Sequence, residues 1–308
     1  MFALVGARWR SYPTQMTTAS LSMIGFGEAG RTFALAGQWA DQAQVYDRLT
    51  DDINMQASMR AEYGAARVRG QLTCAAAVTG CRIVLSQVTA DQALASALEV
   101  SQSIEANALY CDLNSVAPET KRASAEIIEA AGGRYVDVAV MSPVQPAALA
   151  VPLLLSGHRA DEAAKILISL GFSNVRVVGP QVGRASSIKM IRSVMIKGME
   201  ALIAECILAA SQAGVLDEVV NSLDASWPGA HWAARADYNL DRMMVHGSRR
   251  SAEMEEVVRT LDDMGVDSDM SRATAVRQAA LGAMGLKTPP EGLLAKIASI
   301  HNRRTEAA

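Results

Sequence analysis

The sequence predicts a doubly wound α/β sheet followed by an all-helical domain, and three observations carry that prediction. From Leu21 onward, short apolar runs alternate with helical stretches, the pattern of βαβ units around a parallel sheet. The segment Gly25-Phe26-Gly27-Glu28-Ala29-Gly30 directly follows the first apolar run and opens the first helical stretch. Beyond Gly183 the strand signals stop, and helix follows helix to the end.

Residues 1–18 come before the pattern. Their apolar stretch, 2–5, is too short for a signal-peptide core, and Arg8 and Arg10 follow it instead of preceding it. The segment reads as a disordered extension with Met16 as an alternative start. Its arginines without acids also leave a mitochondrial-type presequence open. Strands are expected near 21–25, 43–46, 82–85, 109–112, 135–140, 152–155 and 175–178, with helices at 28–39, 91–103, 118–131 and 160–170 between them. Gly157 and Gly171 bracket the last of these helices, so the last two strands are expected to extend the same sheet. From 186 to 213 no proline occurs and Gly198 alone interrupts the helical period, which predicts one long helix. The domains are therefore placed at 19–183, dinucleotide-binding, and 184–308, all-helical and serving substrate binding and dimerisation. Ile203, Ile207 and Leu208 on the long helix are expected to need a partner surface, hence a homodimer.

Composition narrows the function classes. Half of the 308 residues are apolar, and 29 Lys and Arg stand against 32 acids, a net charge of −3. Such a balance gives no general reason to expect nucleic acid as partner. No apolar run is long enough to span a bilayer, so no membrane partner is expected. Four cysteines without a CxxC pair point to a reducing, cytoplasmic setting. Four scattered histidines offer no metal-ligand cluster, so no metal is expected. A small-molecule substrate is the partner that remains.

Each glycine of the 25–30 loop has a task. Gly25 permits the turn, Gly27 lets the backbone approach a pyrophosphate, and Gly30 packs helix on strand. The amides at the helix start, carried by Phe26, Glu28 and Ala29 among them, favour phosphate charge. Asp47 closes the next strand 20 residues after Gly27, where a carboxylate accepts ribose hydroxyls and repels an additional phosphate. NAD is the expected cofactor. Arg48 beside Asp47 leaves NADP open. Ser86 and Val88, after the strand at 82–85, are further candidates bordering the dinucleotide.

Four blocks between about Leu21 and Leu281 resemble the β-hydroxyacid dehydrogenase superfamily, which includes hydroxyisobutyrate and phosphogluconate dehydrogenases. Within it the chain is most similar to a bacterial phosphogluconate-dehydrogenase-like branch with a helical C-terminal domain. The glycine loop is the first block. Asp112-Leu113-Asn114-Ser115-Val116-Ala117-Pro118 resembles the family's turn beside the nicotinamide, which implies cofactor roles for Asn114 and Ser115. Asp137-Val138-Ala139-Val140-Met141-Ser142-Pro143 stands where the family has a substrate-binding segment, but Met141-Ser142-Pro143 replaces its Ser-Gly-Gly. Gly183-Arg184-Ala185-Ser186-Ser187-Ile188-Lys189 matches the GxGxxxK block, with Ala185 in place of the second glycine. The resemblance implies Lys189 as acid/base, with Ser193 where the family has an asparagine.

A lysine becomes a usable base when desolvation lowers its pKa from about 10.4. At about 100° per residue, Ser193, Ile196 and Glu200 share the Lys189 face, with Arg192 on its flank as a substrate candidate. Lys197 is expected to be solvated or on a dimer face. His246, Arg249 and Arg250 lie in the region where the family carries a lysine that reaches the active site, and an arginine there suits a carboxylate or phosphate. A charged helix face with an Arg249–Glu253 pair explains the same residues equally well. Seven methionines, at 141, 190, 195, 199, 243, 244 and 254, are expected mainly in the core, as are Trp227 and Trp232. The leading function is an NAD-dependent oxidoreductase on a hydroxyacid-like or aryl-substituted alcohol. The alternatives are a carbon–carbon lyase without net redox, an imine reductase, and a non-enzymatic dinucleotide sensor.

Overall fold

The computed structural model describes residues 21–40 and 42–306, so the expectations for residues 1–18 lie outside the described residues. Eight strands form one sheet: β1 (Leu21–Ile24), β2 (Ala43–Tyr46), β3 (Arg69–Gly70), β4 (Ile83–Ser86), β5 (Leu109–Asp112), β6 (Arg134–Val140), β7 (Leu153–Ser156) and β8 (Val175–Gly179). Their order is β3-β2-β1-β4-β5-β6-β7-β8. Every neighbouring pair is parallel except β6–β7, which is antiparallel. Each of the seven expected strands is present to within one residue at either end. The unexpected one, β3, is two exposed residues on the sheet edge, too short and too polar to leave a periodic signal.

Helices cover both faces of the sheet: α1 (Glu28–Gly37), α2 (Gln56–Ala65), α3 (Cys74–Val78), α4 (Ala93–Ser101), α5 (Pro118–Ala130) and α6 (Ala160–Ser169). One face holds Met23, Phe33, Trp39, Leu85, Leu155 and Phe172; the other holds Val84, Ala97, Tyr110, Ile128 and Tyr135. Central strands buried on both faces read as continuous apolar runs, which is why the sequence revealed them. β1 has β2 on one side and β4 on the other, so the chain reverses direction across the sheet there. The crevice beyond the carboxyl ends of these strands is where ligands bind in such sheets.

The rest is helical: α7 (Arg184–Ala213), α8 (Leu216–Ser226), α9 (Trp232–Asp263), α10 (Asp269–Gly282) and α11 (Leu293–Glu306). Its core joins Ile203, Ala204, Ile207 and Leu208 of α7 to Leu240, Met243 and Met244 of α9, with Leu281, Ile297 and Ile300. This corrects the expectation for Ile203, Ile207 and Leu208: α9 and its neighbours bury them within the chain. α9 and α10 cross through glycines. A Cβ on Gly247 would lie 2.3 Å from the Gln278 carbonyl oxygen, and one on Gly282 would lie 2.2 Å from the Ser248 nitrogen. That approach fixes the part of α9 carrying His246, Arg249 and Arg250. Trp227 is exposed, contrary to expectation, and meets half-buried Trp232 edge-on at 5.9 Å. Among the described residues, no helix is long and apolar enough to cross a membrane.

Candidate active site

The glycine loop leaves β1 at the crevice. Gly25 has φ +90°, and a Cβ there would lie 2.6 Å from the Gln87 carbonyl oxygen, so glycine is required. Its N–H donates to the Tyr46 carbonyl at 2.9 Å, tying the loop to the end of β2. Gly27 precedes α1 without a side-chain cap, and a Cβ there would meet open space. Exposed helix-start amides above open space suit a pyrophosphate. Asp47 stands beside the loop. One carboxylate oxygen accepts the Phe26 N–H at 2.7 Å and the other accepts the Leu49 N–H at 2.9 Å. Each oxygen keeps a second acceptor position for a ribose hydroxyl. Arg48 next to it is exposed.

The neighbouring turns meet at Asn114. Its amide donates to the Ser86 hydroxyl at 3.0 Å, and its carbonyl oxygen accepts the Val88 N–H at 2.7 Å. Ser86 is fully buried beneath it. Asn114 and Ser86 thus join the ends of β4 and β5. Nearby, the Ser115 hydroxyl and the Gln87 side-chain amide are shut off from solvent and meet no hydrogen-bond partner among the described residues. A built Gly30 Cβ would lie 3.1 Å from that same Gln87 amide nitrogen, so Gln87 borders the glycine loop. Buried polar groups are ordinarily satisfied. Together with the open cradle at Gly27, these two fit a bound dinucleotide.

A buried charge network anchors the start of α7. Lys121 of α5 is fully buried, with its ammonium 2.7 Å from the Asp112 carbonyl, 2.9 Å from the Asp112 carboxylate and 3.4 Å from that of Asp137. Burial pushes the Tyr135 hydroxyl far up, so it stays protonated and donates to Asp112 at 2.6 Å. The Asp137 carboxylate in turn accepts from the Ser156 hydroxyl at 3.1 Å and from both the N–H and the hydroxyl of Ser186 at 3.0 Å. A carboxylate on the first amides of a helix fixes where that helix begins. Lys189 lies one turn further along. A second tie joins the two domains: the Ala117 N–H donates to Glu256 of α9 at 2.8 Å.

Lys189 is half-buried. Burial pulls its ammonium down, Glu253 opposes, and the cations of Lys197, Lys121 and Arg249 add to the fall, leaving it at about 8. The expectation that Lys197 is solvated or on a dimer face is corrected: it is 5% exposed within the chain and lies 2.7 Å from the Glu253 carboxylate. Ser193 shares the Lys189 face but donates its hydroxyl back to the Lys189 carbonyl at 2.9 Å, so the helix itself engages it. Arg192 is exposed and donates to the Met141 carbonyl at 3.3 Å, which brings two substrate candidates together; Ser142 beside them is exposed.

The α9 candidates divide. Arg249 is exposed, 3.2 Å from Glu28 at the start of α1 and 4.0 Å from Glu253, so it spans the cleft. Half-buried His246 is held below its ordinary value by burial and by Arg242 and Arg249, so it is neutral at pH 7. Arg250 is buried inside the helical domain against Glu200, which also accepts from Gln278 at 3.0 Å. That corrects its reading as a substrate contact: the carboxylate within the same domain occupies its guanidinium. Sequence reasoning missed Gln87 and Lys121, and it named Lys197 and Glu253 without the pair that they form. The available signal for Lys121 was its helical spacing, which puts it on the face of Ala125 and Ile128 and not on that of its charged neighbours Glu119 and Arg122. For the others, only the meeting of separate elements reveals them.

Fold and site together define a two-domain scaffold of the NAD(P)-binding oxidoreductase type. A family model described as the NAD binding domain of 6-phosphogluconate dehydrogenase matches residues 20–179, and one described as a domain of unknown function (DUF1932) matches residues 210–281. The chain belongs to the β-hydroxyacid dehydrogenase superfamily. A conserved hypothetical protein from Sinorhizobium meliloti 1021, known as a crystal structure, is 36% identical, with 94% of this chain and 98% of that one covered at a TM-score of 0.72. An uncharacterized 28.5 kDa protein of Methanothermus fervidus is 29% identical over 175 residues, or 57% of this chain and 66% of that protein, just under two thirds of its length. The 3-hydroxyisobutyrate dehydrogenase of Mycobacterium tuberculosis, solved with L-serine, shares the fold at 16% identity, with 94% and 100% of the two chains covered and a TM-score of 0.71.

Proposed function

We propose that this protein is an NAD-dependent dehydrogenase of the β-hydroxyacid type, acting on a hydroxyacid-like or aryl-substituted alcohol with Lys189 as general acid/base. The observation that carries the reading is the half-buried Lys189, one turn past the Asp137 anchor of α7 and depressed to about 8. The loop at 25–30 would hold the pyrophosphate, Asp47 the adenosine ribose, and the turn at Asn114–Ser115 the nicotinamide end. A bound oxidised nicotinamide supplies the hydride acceptor. Neutral Lys189 takes the proton of the substrate hydroxyl; in the reverse direction its ammonium protonates the carbonyl oxygen. Oxidation is therefore favoured above about pH 8 and reduction below it. Arg192, which donates to the Met141 carbonyl, would receive a substrate carboxylate where the family's Ser-Gly-Gly is missing. The test is a panel of hydroxyacids and aryl alcohols, followed by reduced-cofactor absorbance and by substrate loss. Equal amounts of both support the dehydrogenase; loss without reduced cofactor replaces it with the lyase.

Asp47→Ala is expected to weaken NAD binding by about tenfold or more and to narrow the preference over NADP. It removes ribose acceptors and also frees the Phe26 and Leu49 amides, each bond being worth about 0.5–1.5 kcal/mol. Titration calorimetry with both cofactors checks this, and unchanged affinities would remove Asp47 from the site.

A homodimer belongs to the same reading, on a surface other than the one expected from sequence. Ile191, Met195 and Leu202 form one uncharged stripe of α7, each half exposed or more, roughly 120–160° around the helix from Lys189. A second copy packing along this stripe would cover it. Light scattering should give a dimer mass, and Met195→Glu with Leu202→Glu should give a monomer. A monomeric wild-type protein would contradict it.

A further inference from the structure

Lys197 and Glu253 have no part in the reading above, yet they form an ion pair of a buried lysine with a half-buried carboxylate on the two helices that flank Lys189. The Lys197 ammonium sits 2.7 Å from one Glu253 oxygen, while the other lies 4.0 Å from the Arg249 guanidinium. Arg249 continues to Glu28 at 3.2 Å, so a line of alternating charges runs from α7 through α9 to the start of α1. The groups acting on Lys189 come from three elements: Lys121 on α5, Lys197 on its own α7, and Glu253 and Arg249 on α9. Three are cations and one is an anion. Met190 and Met254, next in sequence to Lys189 and Glu253, pack in one buried cluster, so α7 and α9 meet at this level, and a carboxylate there offsets the repulsion among the cations around it.

We propose that Glu253, locked in place by Lys197, is a positioning residue that keeps Lys189 in the cleft and sets the pH at which it exchanges its proton. This rests on the reading of Lys189 as acid/base. Glu253 meets the requirements of such a role. Burial works against its charge, but Lys197 and Lys189 overcome that and bring it down to about 2, so it is an anion at any working pH. Lys197 cannot itself replace Lys189 as base, because its ammonium is committed to that carboxylate. The base is carried at the start of α7 and its counter-charge on α9, so the helical domain tunes the reacting group.

The test compares Glu253→Gln, Glu253→Asp and Lys197→Met with the wild type by two readouts. One is the rate of acetic anhydride modification of Lys189 across pH, read by peptide mass spectrometry, which needs no substrate. The other is the pH–rate profile for oxidation. Glu253→Gln should move the Lys189 midpoint toward acid by about one pH unit or more, and Lys197→Met should move it toward alkali by a similar amount. Glu253→Asp should restore most of the wild-type value. A general loosening of the fold moves both midpoints the same way, toward an ordinary lysine. Midpoints that stay put, or that both rise, overturn the proposal. If the labelling midpoints diverge as expected while no alcohol is oxidised, Glu253 keeps its role and the dehydrogenase reading falls. If Glu253→Gln does not fold, Glu253→Ser, smaller and uncharged, takes its place, and the same acid shift of the Lys189 midpoint is required.

Discussion

Lys189→Met is expected to lower turnover by roughly 10²–10⁴-fold, the usual contribution of a positioned proton-transfer group. Dinucleotide affinity and melting temperature should stay near those of the wild type. The proposed cofactor contacts lie in the 25–30 loop, Asp47 and the Asn114 turn, none of which makes a hydrogen bond to Lys189. The half-buried Glu253 keeps its partner, because Lys197 holds it at 2.7 Å whether or not Lys189 is charged. The limb of the pH–rate profile near 8 should vanish with the amine. Ser193→Ala should cost far less, since its hydroxyl already serves the Lys189 carbonyl. Steady-state kinetics beside calorimetry of cofactor binding check the set. A variant that turns over normally would take Lys189 out of the chemistry.

Lys121→Met is expected to destabilise the protein by about 3–5 kcal/mol, the cost of removing one partner of a buried ion pair. Its ammonium is the cation between the buried carboxylates of Asp112 and Asp137. Without it two carboxylates are left facing each other in the core with no cation between them. The damage should reach the site, because Asp137 holds the Ser186 amide from which α7 starts. Tyr135→Phe, which removes one hydrogen bond and no charge, should cost about 1 kcal/mol. Denaturant unfolding distinguishes the two. Equal, small losses would mean that the network is solvated and does not anchor the helix.

The sheet was legible because its central strands are short, apolar on both faces and separated by helices of ordinary length. Its antiparallel step at β6–β7 was not, since pairing direction leaves no mark on an apolar run. The glycine loop and Lys189 were legible as local motifs with local physics: a turn, a close approach, a helix start. Lys197 was misread because the spacing of α7 says nothing of a carboxylate on α9, 56 residues later. Arg250 was misread for the same reason, its partner Glu200 being 50 residues earlier. The partner expected for Ile203, Ile207 and Leu208 turned out to be a later part of the same chain. Long-range pairing between helices is thus where the sequence fell short, and it is also what shapes the charge of this site.

The central claim is that Lys189 removes a hydroxyl proton from a carbon that gives up its hydrogen to the nicotinamide. The most direct measurement uses an accepted hydroxyacid carrying deuterium on its carbinol carbon, with oxidised NAD and the wild-type protein. The account predicts that the deuterium is recovered in the reduced nicotinamide, one for each carbonyl product formed. Product formed with the deuterium still on carbon, or lost to solvent, would contradict it.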